Sequence, residues 1–366
     1  MLKKLMLSGS ALAFCASATV AYADAPQAIV DAATKEAQLT VIALPHDWCG
    51  YGAVIDGFKK KYPGITVNEL NPDAGSGDEI QAIKANQGNT GPQAPDVIDV
   101  GLSFGPSAKQ DKLIQPYKVS TWDSIPDSAK DADGYWYGDY YGVMAFLVND
   151  DLVKNPPKTW ADLQKPEYAN QIALSGDPRV SNQAIQSVYA AGLASGGKAG
   201  ADAGTKGLDF FAKLNAASNF VPVIGKAATV AQGTSPITTN WDYNALAWRD
   251  GFAGNPKAEV IVPSDAVVAG VYIQAISAYA PHVNAAKLWM EYLYSDEGQI
   301  GWLAGYCHPI RFNDLAKNGK IPQDLLAKLP DPALYAKAVF PTLDEQAAAK
   351  DVITKQWDSV VKANVK

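Results

Sequence analysis

The chain is poor in the side chains from which catalytic and metal centres are commonly built. Its 366 residues include three cysteines, three histidines and four methionines. The histidines, His46, His282 and His308, follow no spacing that a zinc or other transition-metal site uses. There is no G-x-S-x-G elbow, no H-E-x-x-H and no Cys–His arrangement in a recognisable context, which argues against the common hydrolase classes. There is no P-loop, so the chain does not read as an ATPase. Beyond residue 23 no apolar run reaches the length that spans a bilayer. No repeat of solenoid length and no heptad run is visible. Positive charge is also in deficit: 31 Lys and Arg stand against 38 Asp and Glu, a net charge of −7. An acidic surface argues against a nucleic acid or an anionic membrane as partner.

What is present begins with a leader pattern. Lys3 and Lys4 form a basic start, residues 5–20 are apolar and small, and Ala21-Tyr22-Ala23 supplies an A-x-A cleavage site. Residues 1–23 are therefore expected to be a secretory signal peptide. Its removal takes away Lys3 and Lys4 and no acid, leaving 29 basic against 38 acidic residues, net −9. Cys15 lies within the leader after bulky Phe14, an unsuitable setting for a lipid anchor. Cys49 and Cys307 remain. Export to an oxidising compartment lets them pair, and two free thiols are the alternative; the sequence leaves both open.

With 48% hydrophobic and 19% charged residues, the chain is long enough for two cores. The stretch LTVIALPHDWCGY at 39–51 sets the pattern: a buried strand at 39–44, a polar and aromatic loop, then a helix with Val54, Ile55 and Phe58 on one side. Further strands are expected at 65–70, 94–101, 140–149, 172–174, 259–263 and 269–278. Helices are expected from about 79, at 182–193, 208–214, 244–249 and 282–294, the last continuing through 295–305. The Gly/Ala-rich run 192–204 reads as a surface turn, and Asp133-Gly134 as a hairpin turn. Alternating strands and helices mean an α/β fold. Two lobes follow from the length, connected through residues 144–149 and again near 260–273. In such folds ligands bind beyond the carboxyl ends of the strands.

Several phrases in order carry a family resemblance: FKKKYPGITVNEL at 58–70, PDVIDV at 95–100, DGYWYGDYYGVMAFLVN at 133–149, KTWADLQKPEYANQIAL at 158–174, NWDYNALA at 240–247 and AAKLWMEYLYSDEGQ at 285–299. Together they resemble the periplasmic solute-binding proteins of ABC importers, in the group that includes ferric-ion, phosphonate, phosphosugar and polyamine binders. The resemblance covers essentially the whole chain after the leader. It implies the type II periplasmic-binding-protein fold: two α/β lobes joined by two crossing strands, with a ligand cleft between them. On that basis lobe one is expected from 24–147 and 264–312, lobe two from 148–263, and helices of 313–366 packing on the lobes. It also implies a monomer that closes on a small-molecule ligand by hinge bending and passes it to ABC permease subunits; no cofactor is expected, the histidine spacing gives no metal site, and the acidic charge leaves no nucleic acid as partner.

A cleft needs residues from both lobes. From the first come His46, Asp47, Trp48, Tyr51, Ser76, Gly77, Ser103 and Phe104; from the second, Asp177, Arg179, Ser181, Asn182, Trp241, Asp242 and Tyr243. The resemblance places the loops containing Trp48, Ser76, Phe104, Arg179, Trp241 and Asp242 around the ligand. Trp241-Asp242-Tyr243 is the leading candidate, because an aromatic beside a carboxylate can enclose a cation, against core packing with Asp242 as a helix cap. Gly75-Ser76-Gly77 and Asp177-Pro178-Arg179 both precede helices and could hold an anion, against simple capping and a surface ion pair. Two ligand classes result. A phosphonate, phosphate ester or similar zwitterion or anion would use Ser76, Gly77 and Arg179, and is the first choice. A polyamine would use Asp47, Asp242, Trp48, Trp241 and Tyr243. Ferric ion ranks third: the adjacent pair Tyr140-Tyr141 lies in a strand, where neighbours face opposite sides. An exported hydrolase with Asp47 and Asp242 as paired carboxylates is the alternative of another class.

Overall fold

The computed structural model describes residues 25–329 and 337–366. The signal peptide expected at 1–23 lies outside the described residues. Helix α1, Gln27–Glu36, leads into β1, Gln38–Ile42, then α2, Tyr51–Lys61, β2, Thr66–Leu70, and α3, Ser76–Ala85. Strand β3, Val97–Gly101, is buried throughout and is followed by α4, Gly105–Gln110, and the short β4, Ile114–Gln115. The long β5 covers Tyr137–Asn149. Then come β6, Ile172–Leu174, α5, Asn182–Ala194, α6, Ala201–Ala216, and β7, Phe220–Ile224. Next follow α7, Ala227–Ala231, β8, Ile237–Trp241, α8, Asp242–Gly251, and β9, Ala258–Ile261. Last in this series are β10, Ala269–Ser277, α9, Val283–Leu293, α10, Asp296–Ala304, and β11, His308–Pro309. A C-terminal helix spans Leu343–Val360, its first turn closed by reciprocal bonds between Thr342 and Glu345.

The architecture is α/β, and β5 holds it together. Its first half, through Val143, pairs antiparallel with β10, while Met144–Val148 pairs with β8 and Phe146–Asn149 with β9. The sheet thus runs β3-β10-β5-β8-β6-β7, with parallel pairing at β8-β6-β7. Strands β1 and β2 form a separate parallel pair beside β3, where the Thr40 amide donates to Asp96 at 2.7 Å. One lobe is built on β3, β10 and the first half of β5, the other on β6–β9 and its second half. The chain crosses between them in β5 and returns between β9 and β10. Residues 337–340 run alongside that return: the Val339 amide donates to the Val267 carbonyl and the Val339 carbonyl accepts from the Ala269 amide, both at 2.9 Å.

Two expectations are corrected. Gly192 is not in a surface turn but inside α5, buried against α6; a Cβ there would meet the Ala203 carbonyl oxygen at 1.8 Å. The turn occupies only the residues between α5 and α6, and the glycines before and after it, Gly192 and Gly207, let the two helices approach closely. The helix expected to run on through 295–305 instead stops at Leu293 and restarts at Asp296. The Ser295 side chain, on extended backbone, accepts from the Gly298 amide at 3.2 Å and caps the new helix. Expected strand and helix cores elsewhere coincide with observed elements, with ends shifted by one to a few residues.

Replacing Gly192 by alanine is expected to cost at least about 2 kcal/mol by overpacking. Gly196→Ala, where a Cβ meets nothing within 4 Å, should cost only the roughly 1 kcal/mol of its positive φ. Urea unfolding of the two variants measures the difference.

Candidate functional site

Strand ends from both lobes converge on a cavity of about 460 Å³. The loop after β1 contributes Pro45, Asp47 and Trp48, and the loop after β2 contributes residues 72–76. The opposite wall comes from Ser175–Asp177 and Val180–Gln183 at the start of α5, from 224–228 around α7, and from Asn244 and Trp248 on α8. Glu79, Asp99 and Tyr272 make the floor. This is the position outside the carboxyl ends of strands where open α/β sheets hold ligands.

The two walls touch. The Gly77 amide donates to the Val180 carbonyl at 3.0 Å, the Trp248 indole to Asp47 at 2.8 Å, and Lys226 pairs with Asp73 at 3.0 Å. Away from the cavity, the Tyr306 hydroxyl donates to Asp250 at 2.5 Å. The C-terminal helix packs on α5 and α6, yet its Lys350 donates to the Ser103 carbonyl at 2.9 Å and lies 3.9 Å from the centre of the Phe104 ring. Burial pushes the Lys350 ammonium down to about 8.

Beneath the cavity lies a buried acidic network. Asp99 accepts from the Tyr51 and Tyr140 hydroxyls, each at 2.6 Å and both on Oδ2. The Trp48 indole donates to the Tyr140 oxygen at 2.6 Å, Gln274 donates to Tyr51 at 2.8 Å and to Asp139 at 3.0 Å, and Glu79 accepts the Asp99 amide at 2.8 Å. Burial pushes the Asp99 carboxyl up to about 7 and raises Glu79 and Asp139 well above the carboxylate range, each of the latter pushed further by Asp99. Trp48 packs edge-on to Tyr272 at 5.2 Å and to Tyr243 at 5.6 Å.

Of the residues singled out from sequence, Asp47, Trp48, Ser76, Asp177, Ser181 and Asn182 line the cavity. The others lie around it. His46 is exposed and bonded to Glu69 at 2.5 Å. Gly77 is spent on the contact with Val180, and Tyr51 sits behind Asp99. Ser103 and Phe104 meet Lys350 instead. Arg179 turns toward the C-terminus: it donates to Asp177 at 2.8 Å, pairs with Asp358 at 3.3 Å and reaches Asn364 at 3.0 Å. Trp241 is fully buried beneath Gly270 and stacked on Tyr243, its indole 3.5 Å from the Tyr272 hydroxyl. Asp242, likewise buried, accepts from the Val143 amide at 2.9 Å and fixes the start of α8 against β5. Tyr243 supports Trp48 and Tyr140 from behind.

The sequence reading missed Glu79, Asp99, Lys226, Asn244, Trp248 and Tyr272. Asp99 had a signal, an acid inside the apolar run VIDVG at 97–101. Glu79 and Tyr272 had none, since their importance comes from tertiary placement. Tyr140 faces Asp99, whereas Tyr141 stacks on His308 from the other side of β5. Among the described residues no group of three or more His, Cys, Asp or Glu side chains has the geometry of a metal site.

Cys49 and Cys307 are joined by a disulfide with a Cα separation of 5.4 Å. It ties the cavity loop after β1 to the segment leading into β11.

The comparisons with known proteins agree with this geometry. A family profile described as bacterial extracellular solute-binding protein matches residues 93–332. No curated protein matches the chain. Among solved structures, the periplasmic binding protein AfuA from Actinobacillus pleuropneumoniae, with fructose-6-phosphate bound, is 21% identical with a TM-score of 0.69, covering 88% of this chain and 98% of its own. AgtB from A. tumefaciens R10, in complex with agropinic acid, is 17% identical with a TM-score of 0.70, covering 89% and 99%. The spermidine/putrescine ABC transporter substrate-binding protein PotD from Streptococcus pneumoniae is 17% identical with a TM-score of 0.58, covering 87% and 98%. The chain belongs to the bacterial extracellular solute-binding protein family. It has the two-lobed fold of periplasmic binding proteins, and as a member of this family it is a solute-binding protein rather than an enzyme.

The disulfide closes a sequence separation of 258 residues, which the chain-entropy relation values at about 5.5 kcal/mol. Reduction is expected to lower unfolding stability by roughly 2–5 kcal/mol, read from urea midpoints with and without reductant.

Proposed function

We propose that the protein captures an amine-bearing small organic solute, a cation or a zwitterion, in the cavity between its lobes. The observation that carries this is the preponderance of carboxyl groups in the lining. Asp47, Asp73, Asp78, Glu79, Asp99 and Asp177 stand around it, and the single lining cation among the described residues is Lys226, itself paired with Asp73. Trp48, Trp248 and Tyr272 supply aromatic surface on which an alkylammonium is attracted. The one arginine considered for an anion, Arg179, is engaged elsewhere. A cavity of about 460 Å³ falls in the range of small-molecule sites, roughly 300–1,000 Å³.

An acid group on the same solute has a place as well. Helices α3 and α5 begin at the cavity wall with Ser76 and Asn182, where the helix dipole favours negative charge. A zwitterion with its amine over the floor and its acid toward these helix starts uses both. A phosphate ester without an amine uses only the second.

Hinge bending at the β5 crossing and at the return between β9 and β10 opens and closes the cleft. A solute that touches both walls favours the closed form by its differential affinity. The loaded monomer is then presented to permease subunits in the inner membrane, after export to the periplasm through the N-terminal leader.

Thermal-shift screening tests the solute class. An amine-bearing acid or a diamine at about 100 times its Kd should stabilise by about 2.7 kcal/mol, a rise of several degrees in Tm. Phosphate esters lacking an amine should leave Tm unchanged, and the reverse pattern would overturn the reading. Trp48→Ala should weaken the solute found at least tenfold, measured by calorimetry.

A further inference from the structure

The cavity floor holds a carboxyl group whose two oxygens have different surroundings. Asp99 Oδ2 is saturated by the Tyr51 and Tyr140 hydroxyls, while Asp99 Oδ1 is buried without a hydrogen-bond partner, on a residue that lines the cavity. Three further buried side-chain oxygens on lining residues are likewise unpartnered: Ser175 Oγ, Asn182 Oδ1 and Asn244 Oδ1. Asn182 reaches across from α5 to lie against Gly101, two residues beyond Asp99 and therefore on the same face of β3. These open carboxyl, hydroxyl and amide oxygens are acceptors for the three N–H donors of a primary ammonium. A quaternary ammonium has none to offer them.

We infer that the site takes a primary ammonium group, and that on binding Asp99 gives up a proton in exchange for it. This rests on the reading that the cavity takes an amine. The exchange balances: the neutral carboxyl loses the proton on Oδ1 to solvent, and the resulting carboxylate is neutralised by the incoming R–NH3+, so the floor gains no net charge.

The surroundings explain why a proton is there to give. The groups facing Asp99 are Tyr51 from α2, Glu79 from α3, Asp139 and Tyr140 from β5, Tyr243 from α8, Tyr272 from β10 and Tyr294 at the end of α9. None is a cation. Burial with no positive neighbour disfavours the ionised form and brings the carboxyl up to about 7. Glu79 and Asp139 are pushed up further in part by Asp99 itself, so Asp99 is the group that ionises when a cation arrives. Its two tyrosine donors then hold the charge. The sign follows from linkage. A carboxyl held at about 7 in the free protein and brought down by a bound cation binds that cation more weakly as pH falls below 7.

The test is calorimetry on the exported, oxidised protein with 4-aminobutyrate, putrescine and the N-trimethyl analogue of 4-aminobutyrate, in buffers of different ionisation heat. The expected result is binding of at least one primary amine, with affinity about tenfold lower at pH 5.5 than at pH 6.5 and level above pH 8. About three quarters of a proton should be released per site at pH 6.5, and almost none at pH 8.5. The trimethyl analogue should bind at least tenfold more weakly than the primary amine. Asp99→Asn should lose at least tenfold in affinity and flatten the pH profile. The wild-type proton count serves as the test should that variant fail to fold. A primary amine that binds with no proton release and no pH dependence overturns the exchange while leaving the amine reading intact. Equal binding of the trimethyl analogue overturns the primary-ammonium assignment. Failure of every amine at every pH overturns both.

Discussion

A single 13-residue strand, Tyr137–Asn149, serves two sheets, and most of the structure answers to that constraint. All of its residues except Tyr141 are buried, because partners cover it along its length: β10 beside the first half, β8 and β9 beside the second. A strand shared in this way cannot slip register in one lobe without disturbing the other. It also places Asp139 and Tyr140 in the floor network and Val143, which holds Asp242, at the crossing. The cleft is therefore hung on a rigid element rather than on loops alone, and the loops that complete it start from strand ends fixed by the same sheet.

Much of the fold was legible in the sequence because it rests on local signals. Apolar runs such as ITVNEL and YYGVMAFLVN are bounded by turn residues, and each sits in an observed strand. Two of these readings failed. Gly192 looked like a loop residue because glycine marks turns, yet here it permits close helix packing, a property of α5 and α6 together. Ser295 looked like an ordinary residue within an amphipathic run, yet its backbone conformation makes it a cap. Neither outcome is written in the periodicity: Gly192 is decided by helix packing and Ser295 by its own local bonds to Tyr292 and Gly298.

The candidate site shows the same division. Loop residues after strands were found because strand ends are where α/β clefts form, and Asp47, Trp48, Ser76, Ser181 and Asn182 do line the cavity. Side-chain direction was not legible. Trp241, Asp242 and Tyr243 follow a strand end as required, but their side chains go into packing behind the wall. Arg179 stands at a helix start but is drawn off by acids at 177 and 358. The acidic network beneath the cavity was nearly invisible, since its members come from α2, α3, β3, β5 and β10, and only Asp99 interrupts an apolar run.

Lys350 has a role that no contact inside the cavity duplicates. Its helix rides with one lobe while its ammonium grips the Ser103 backbone and the Phe104 ring of the other. Measured affinity is intrinsic affinity multiplied by the fraction of molecules already in the competent conformation. A change at this remote clasp rescales that fraction for every solute alike. Evolution, or an engineer building a biosensor, can use it to tune sensitivity while the ranking of solutes, written in the cavity wall, stays as it was.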